Sequence, residues 1–211
     1  MKTITLFLTL YYAVNIVSAQ NDPQAIKILD RFSAKATGAP SVSMKFLLTT
    51  TDQIENTENT IEGSVILSKN NYKLDLPDNI IWYNGETSWS YLPAEQEVTI
   101  TNPDKKDDSF QTRPSSIFTM YKKGYKCRLI EEKADHYVID LYPDDIKNEL
   151  IRVRLSISKP SMNLKSFEYK RRDGIIIDIM IREYSLEVNP GPEAFVFSPE
   201  LYKGVEVIDM R

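Results

Sequence analysis

The sequence predicts an α+β domain that is mostly β, with about ten strands in one run and two short helices. Three observations carry this reading. After residue 40 apolar residues recur largely with a period of two, turn signals fall about every ten residues, and only two helical segments are recognisable. The 211 residues are 42% hydrophobic and 27% charged, which suits a globular chain large enough to bury one real core.

Residues 1–19 read as an export signal. Lys2 supplies the positive start, and 4–17 is apolar apart from Thr5, Thr9, Tyr11, Tyr12 and Asn15. Val17-Ser18-Ala19 then places small residues before a cleavage point after Ala19. The run is short for a membrane span, and polar Gln20-Asn21-Asp22 follows at once. The expected mature domain is 20–211. Losing the signal leaves 25 basic against 30 acidic side chains, a net charge of −5. That balance gives no support for binding nucleic acid through its phosphates.

Asp22 and Pro23 suit the N-cap and first turn of a helix. Ala25, Ile28, Leu29, Phe32 and Ala36 then form one stripe, which Gly38-Ala39-Pro40 ends. Strands are expected at 44–50, at 61–67 with Ile61, Val65 and Leu67 sharing a face, and around Tyr72, Leu74 and Leu76. Strands at 80–83, 88–92 and 97–101 continue the meander. Asn84-Gly85 is a two-residue hairpin signal because both positions tolerate positive φ. Residues 104–108 form a charged connector. Residues 112–123 read as a second short helix, unusually apolar through Ile117, Phe118, Met120 and Tyr121.

Strands resume at 125–130, 136–142, 150–158, 164–171 and 175–186, the last with Ile175, Ile177, Ile179 and Ile181 on one side. Asn189-Pro190-Gly191-Pro192 turns the chain before Phe195-Val196-Phe197 and a closing segment at 204–207. The series implies one large sheet or barrel, undivided by repeats or linkers.

Little here suits catalysis. A single cysteine, Cys127, excludes an intramolecular disulfide and any zinc site needing two thiolates. A single histidine, His136, leaves a hydrolytic triad one possible base, and no Gly-x-Ser-x-Gly elbow occurs. The seven glycines are scattered, so no phosphate loop forms. No catalytic residue, metal or cofactor is expected. Binding is better supported. Trp82, Tyr83, Trp89 and Tyr91 fall on two adjacent strands, as either a closed aromatic core or the wall of a ligand cavity. Curved sheets with thin helical cover leave apolar cavities of the second kind.

Three stretches resemble the LolA family, carriers of outer-membrane lipoproteins. Residues 61–69, Ile-Glu-Gly-Ser-Val-Ile-Leu-Ser-Lys, are similar to its Gly-containing strand running to a Lys. Residues 80–91, Ile-Ile-Trp-Tyr-Asn-Gly-Glu-Thr-Ser-Trp-Ser-Tyr, resemble its Asn-Gly hairpin. Residues 197–209, Phe-Ser-Pro-Glu-Leu-Tyr-Lys-Gly-Val-Glu-Val-Ile-Asp, resemble its ending. The resemblance implies a single incomplete antiparallel β-barrel of ten to eleven strands, covered by short helices over an apolar cavity for acyl chains. It implies a monomeric periplasmic carrier that takes acylated lipoprotein from an inner-membrane releasing transporter to an outer-membrane acceptor. On that footing Ile28, Leu29 and Phe32 of the first helix and Ile117, Phe118 and Tyr121 of the second would form the lid. Leu67, Leu74, Trp82, Trp89 and Tyr91 would line the sheet side, each subject to the parity of its strand.

One departure stands out. Family members carry Arg-Pro after the strand-ending Lys, and that Arg is linked to lid control; here Lys69 is followed by Asn70-Asn71. Two rival readings remain: a lipid-binding envelope sensor of the same fold that regulates a membrane partner, and a hydrolase using His136.

Overall fold

The computed structural model describes residues 21–104 and 112–211. The expected signal at 1–19 and residues 105–108 of the charged connector lie outside them. One helix, α1 (Pro23–Gly38), precedes a meander of β1 (Val42–Asp52), β2 (Thr57–Ser68), β3 (Asn71–Asp75), β4 (Ile80–Tyr83), β5 (Ser88–Leu92) and β6 (Glu97–Thr101). After two 3₁₀ turns come β7 (Tyr125–Glu132), β8 (His136–Pro143), β9 (Leu150–Ser158), β10 (Leu164–Arg171) and β11 (Ile175–Ser185), with β12 (Glu206–Asp209) closing the chain.

All twelve strands join one sheet in the order β12-β6-β5-β4-β3-β2-β1-β11-β10-β9-β8-β7. The sheet does not close, because its end strands β12 and β7 do not pair. Every pairing is antiparallel except β12 on β6. Asn84 and Gly85 do open the β4–β5 turn, but the loop is four residues long, Asn84–Thr87 between the paired Tyr83 and Ser88, rather than the expected two. Gly85 takes φ 92°, and Asn84 Oδ1 accepts from the amides of Glu86 and Thr87 at 3.1 and 2.9 Å.

The side of the sheet facing α1 is the inner face. On β1 it carries Val42, Met44 and Phe46, opposite Leu67, Val65 and Gly63 of β2. On β9 it carries Val153, Leu155 and Ile157, all fully buried. The outer face of β8 and β9 carries charges, Asp140 opposite Arg154. There Asp140 is 1% exposed and accepts from Arg154 Nε and Nη2 at 2.6 and 2.8 Å, a paired buried carboxylate.

Helix α1 is moored at three places. Asp22 caps it, accepting from the Gln24 amide at 2.8 Å through Oδ1, and its Oδ2 accepts from the Leu129 amide of β7 at 3.1 Å. The Asp22 amide donates to the Cys127 carbonyl at 3.0 Å, while Asn21 Oδ1 accepts from the Cys127 amide at 2.8 Å. The start of the helix thereby covers the free edge of β7, which would otherwise offer unpaired amides. Midway, Tyr121 Oη donates to Asp30 Oδ1 at 2.6 Å. Near the C-terminus, Lys35 donates to Asn163 Oδ1 at 2.9 Å and to the Ser161 carbonyl in the β9–β10 turn.

The segment expected as a second helix is instead two 3₁₀ turns, Pro114–Phe118 and Met120–Lys122, broken at Thr119 with φ −131°. Arg113 offers it no side-chain cap, and so short a piece cannot repay helix nucleation. Burial of Ile117, Phe118 and Tyr121 holds it in place.

Desolvation opposes ionisation of Asp22, but the amides of Leu129, Gln24 and Ala25, with Arg128 nearby, outweigh it and hold the carboxyl below its ordinary value. Its stabilising effect is therefore complete above about pH 4 and fades on acidification. Asp22→Ala is expected to cost about 1–2 kcal/mol in urea unfolding at pH 7. The gap from the parent protein should narrow at pH 3.

Candidate functional site

An apolar hollow of about 770 Å³ lies on the inner face. That volume falls within the roughly 300–1,000 Å³ of small-molecule sites. Its walls come from Met44, Phe46 and Leu48 of β1, Leu74 of β3, Ile81 of β4, Leu150 of β9, Phe167 and Tyr169 of β10, and Ile177 and Ile179 of β11. Strands β4 and β9 are six places apart in the sheet order. In a flat sheet they would stand about 29 Å apart. Sharing one hollow therefore requires the sheet to curl.

Pro114, Met120 and Tyr125 close one side, and Lys147, Asn148, Glu149 and Arg171 form a polar rim. Burial raises the phenols of Tyr125 and Tyr169 above their ordinary value, so these walls stay uncharged at neutral pH.

A second chamber of about 560 Å³ continues from the hollow along the strands. The inner pair Met44 and Val65 borders the hollow, and the next inner pair, Val42 and Leu67, borders the chamber. Met120 and Tyr125 line both spaces and form the partition. The chamber is polar at its far side, where Thr37, Ser115, Ser116 and Thr119 join Lys69, Asn70, Arg113 and Lys123. Asn70, standing where the family's arginine was expected, is thus a lining residue of this chamber.

The residues singled out from the sequence fall into four places. Leu74 lines the hollow, and Leu67 and Phe118 line the chamber. Ile28, Leu29, Phe32, Ile117 and Tyr121 are packed in the main core, with the Phe32 and Phe118 rings 5.5 Å apart. Trp82, Trp89 and Tyr91 lie on the outer face, away from the hollow. Lys73 and Trp82 are cross-strand partners, as are Trp82 and Trp89, and Ile80 and Tyr91. Leu74 and Ile81 form the inner pair between the same strands. A second cluster, Trp82 with Val98 and Phe197, seals the tryptophan from outside. The Tyr202 ring is 5.6 Å from Trp82 and 4.8 Å from Tyr91. Trp82, Trp89 and Tyr91 thus form an outer-face cluster, with Trp82 buried and the other two half-buried, whereas Tyr83 belongs to the main core.

Sequence reasoning missed Met44, Phe46, Ile81, Met120, Tyr125 and Phe167. The useful signal was the isoleucine alternation of β11, since Ile177 and Ile179 do line the hollow and fix its face for their neighbours.

The other candidates are accounted for by their surroundings. Burial, with Asp144 nearby, pushes the fully buried Cys127 thiol up to about 11. His136 Nδ1 is 2.6 Å from Asp135 Oδ1, and its cross-strand neighbour Ser158 bonds Ser161 Oγ at 2.9 Å. Among the described residues no group of three His, Cys, Asp or Glu side chains gathers as a metal site, and no helix is long and apolar enough to cross a membrane.

The family model described as outer membrane lipoprotein carrier protein LolA matches residues 16–175. Among solved structures, an uncharacterized conserved protein from Thermus thermophilus superposes with a TM-score of 0.55 at 14% identity, over 88% of this chain and 99% of that one. A LolA superfamily protein from Nitrosomonas europaea gives 0.43 at 14% identity over 82% and 97% of the two chains. LprF from Mycobacterium bovis gives 0.41 at 13% over 82% and 99%. No curated protein matches the sequence.

Gly63 sets the shape of the wall. A Cβ there would lie 2.6 Å from Leu76 Cδ2 and 2.7 Å from the Phe46 ring. Gly63→Val is expected to force both side chains off their positions at a cost of about 1–3 kcal/mol. Thermal unfolding reads this, and an unchanged midpoint would mean that Phe46 does not pack over Gly63.

Proposed function

This chain belongs to the family of LolA, the outer membrane lipoprotein carrier protein, and from that premise we propose that it carries acylated lipoprotein by holding acyl chains in the inner-face hollow. The observation that supports this is the hollow itself, walled by aliphatic and aromatic side chains that α1 does not cover. On this reading the chain is exported with residues 1–19 removed and works as a periplasmic monomer without a cofactor. It collects cargo from an inner-membrane releasing transporter and gives it up to an outer-membrane acceptor.

The driving force is burial. At about 0.8 kcal/mol per CH₂, enclosing a 16-carbon chain yields roughly 13 kcal/mol gross. Ordering the chain and losing its translational freedom offset much of that. Delivery requires the remainder to be modest. Two features keep it so. The polar rim of Lys147, Asn148, Glu149 and Arg171 leaves the site open at one side, and the partition side chain Met120 is a flexible, half-buried thioether packed between the two spaces. Asn70 in place of the family's arginine fits release controlled by this packing.

The test is calorimetric titration of the mature protein with a triacylated lipopeptide. Saturable binding near one molecule per chain is expected. Ile177→Glu, which sets a carboxylate in the half-buried wall, should weaken it at least about tenfold. Trp89→Phe, on the outer face, should leave it unchanged. Absence of saturable binding by the parent protein, or equal binding by Ile177→Glu, would sink the reading.

A further inference from the structure

The chamber beyond Met120 differs from the hollow in charge. Its described lining includes three cations, Lys69, Arg113 and Lys123, and no Asp or Glu. This occurs in a chain whose formal net charge is −4, so the local balance runs against the whole. Neither Lys69 nor Lys123 has a carboxylate partner among the described residues, whereas neighbouring Lys122 lies over the Tyr121 ring at 5.9 Å. Arg113 already has a partner, which leaves Lys69 and Lys123 as the cations for a ligand. Ser115 and Thr119 line the same chamber and bring hydroxyl donors to it.

The position of this chamber matters as much as its charge. It begins one inner residue pair beyond the hollow, a step of about 7 Å along the strands. A ligand whose acyl chain lies over Met44 and Val65 would place its polar end at Val42 and Leu67, in the chamber that the lysines also line.

Resting on the reading that the hollow takes acyl chains, we propose that the second chamber binds a phosphate-bearing headgroup, so that the ligands of this protein include anionic acyl lipids. Lys69 and Lys123 pair with the phosphate, and the chamber hydroxyls complete its hydrogen bonds. Discrimination is modest because both lysines are exposed to water.

The test compares palmitoyl lysophosphatidic acid with monopalmitoylglycerol, which has the same chain and glycerol but no phosphate. Both are titrated calorimetrically into the mature protein and into a Lys69→Gln/Lys123→Gln variant, with inorganic phosphate as a third titrant. The parent protein should prefer the phosphate-bearing lipid about fivefold at low salt. The variant should lose that preference while binding the neutral lipid as before. Inorganic phosphate alone should not bind measurably. Equal affinity of the parent for the two lipids, or a preference that the variant keeps, overturns the headgroup proposal and leaves the hollow intact as an acyl site. Tight binding of free phosphate overturns it in favour of a small-anion site. Failure of both lipids to bind overturns the acyl reading as well.

Discussion

Helix α1, 16 residues long, is a rod of about 24 Å by 10 Å. The sheet it lies in would need about 29 Å from β4 to β9 alone if it were flat. One rod cannot fill the trough of so wide a sheet once it curls. The helix is tied to β7 at its start and to the β9–β10 turn near its end, so it serves one side of the trough and leaves the other side open. Among the described residues, the hollow is the part of the inner face that has an apolar lining and only Pro114 and Met120 of the 3₁₀ segment at one side to cover it. Its existence follows from this mismatch between cover and surface.

At the other end of the sheet the apolar face reverses. On β5 and β6 the inner face carries Ser88, Ser90, Thr99 and Thr101, while the outer face carries Trp89, Tyr91, Val98 and Ile100. Strand β4 lies at the crossover and is apolar on both sides, with Ile81 and Tyr83 inward and Ile80 and Trp82 outward. The chain after β11 supplies the cover that this outer surface needs. Phe197 and Tyr202 pack on Trp82, and β12 then adds to the edge of β6. The hollow is bounded on that side because the sheet's apolar lining has moved to the opposite face.

Much of this was legible in the sequence. The cap at Asp22, the stripe of α1, the place of the Asn84-Gly85 turn (though not its four-residue length) and the isoleucine alternation of β11 are local features, and local rules read them. The open sheet was legible through the family resemblance and the long run of strands. What could not be read was which face of a strand looks inward. For β3 and β11 the polar alternation settles this, and Leu74, Ile177 and Ile179 stand where that pattern puts them. In β4, where Ile80, Ile81, Trp82 and Tyr83 are all apolar, alternation carries no parity, and nothing local marks the face of Trp82. The cover it packs against lies more than a hundred residues later, beyond the reach of any local signal. The second helix failed for a related reason: the apolar content between Pro114 and Gly124 reflects burial of Ile117, Phe118 and Tyr121, which two 3₁₀ turns satisfy as well as a helix would.

The claim that an acyl chain occupies the inner face is tested most directly by methyl NMR of isoleucine-labelled protein titrated with palmitate. Ile80 and Ile81 are neighbours in sequence on opposite faces of β4, which makes them an internal comparison. The account predicts saturable shifts at Ile81, Ile177 and Ile179, with Ile80 and Ile100 unmoved. Shifts centred on Ile80 and Ile100, or none at any of the five methyls, would contradict it.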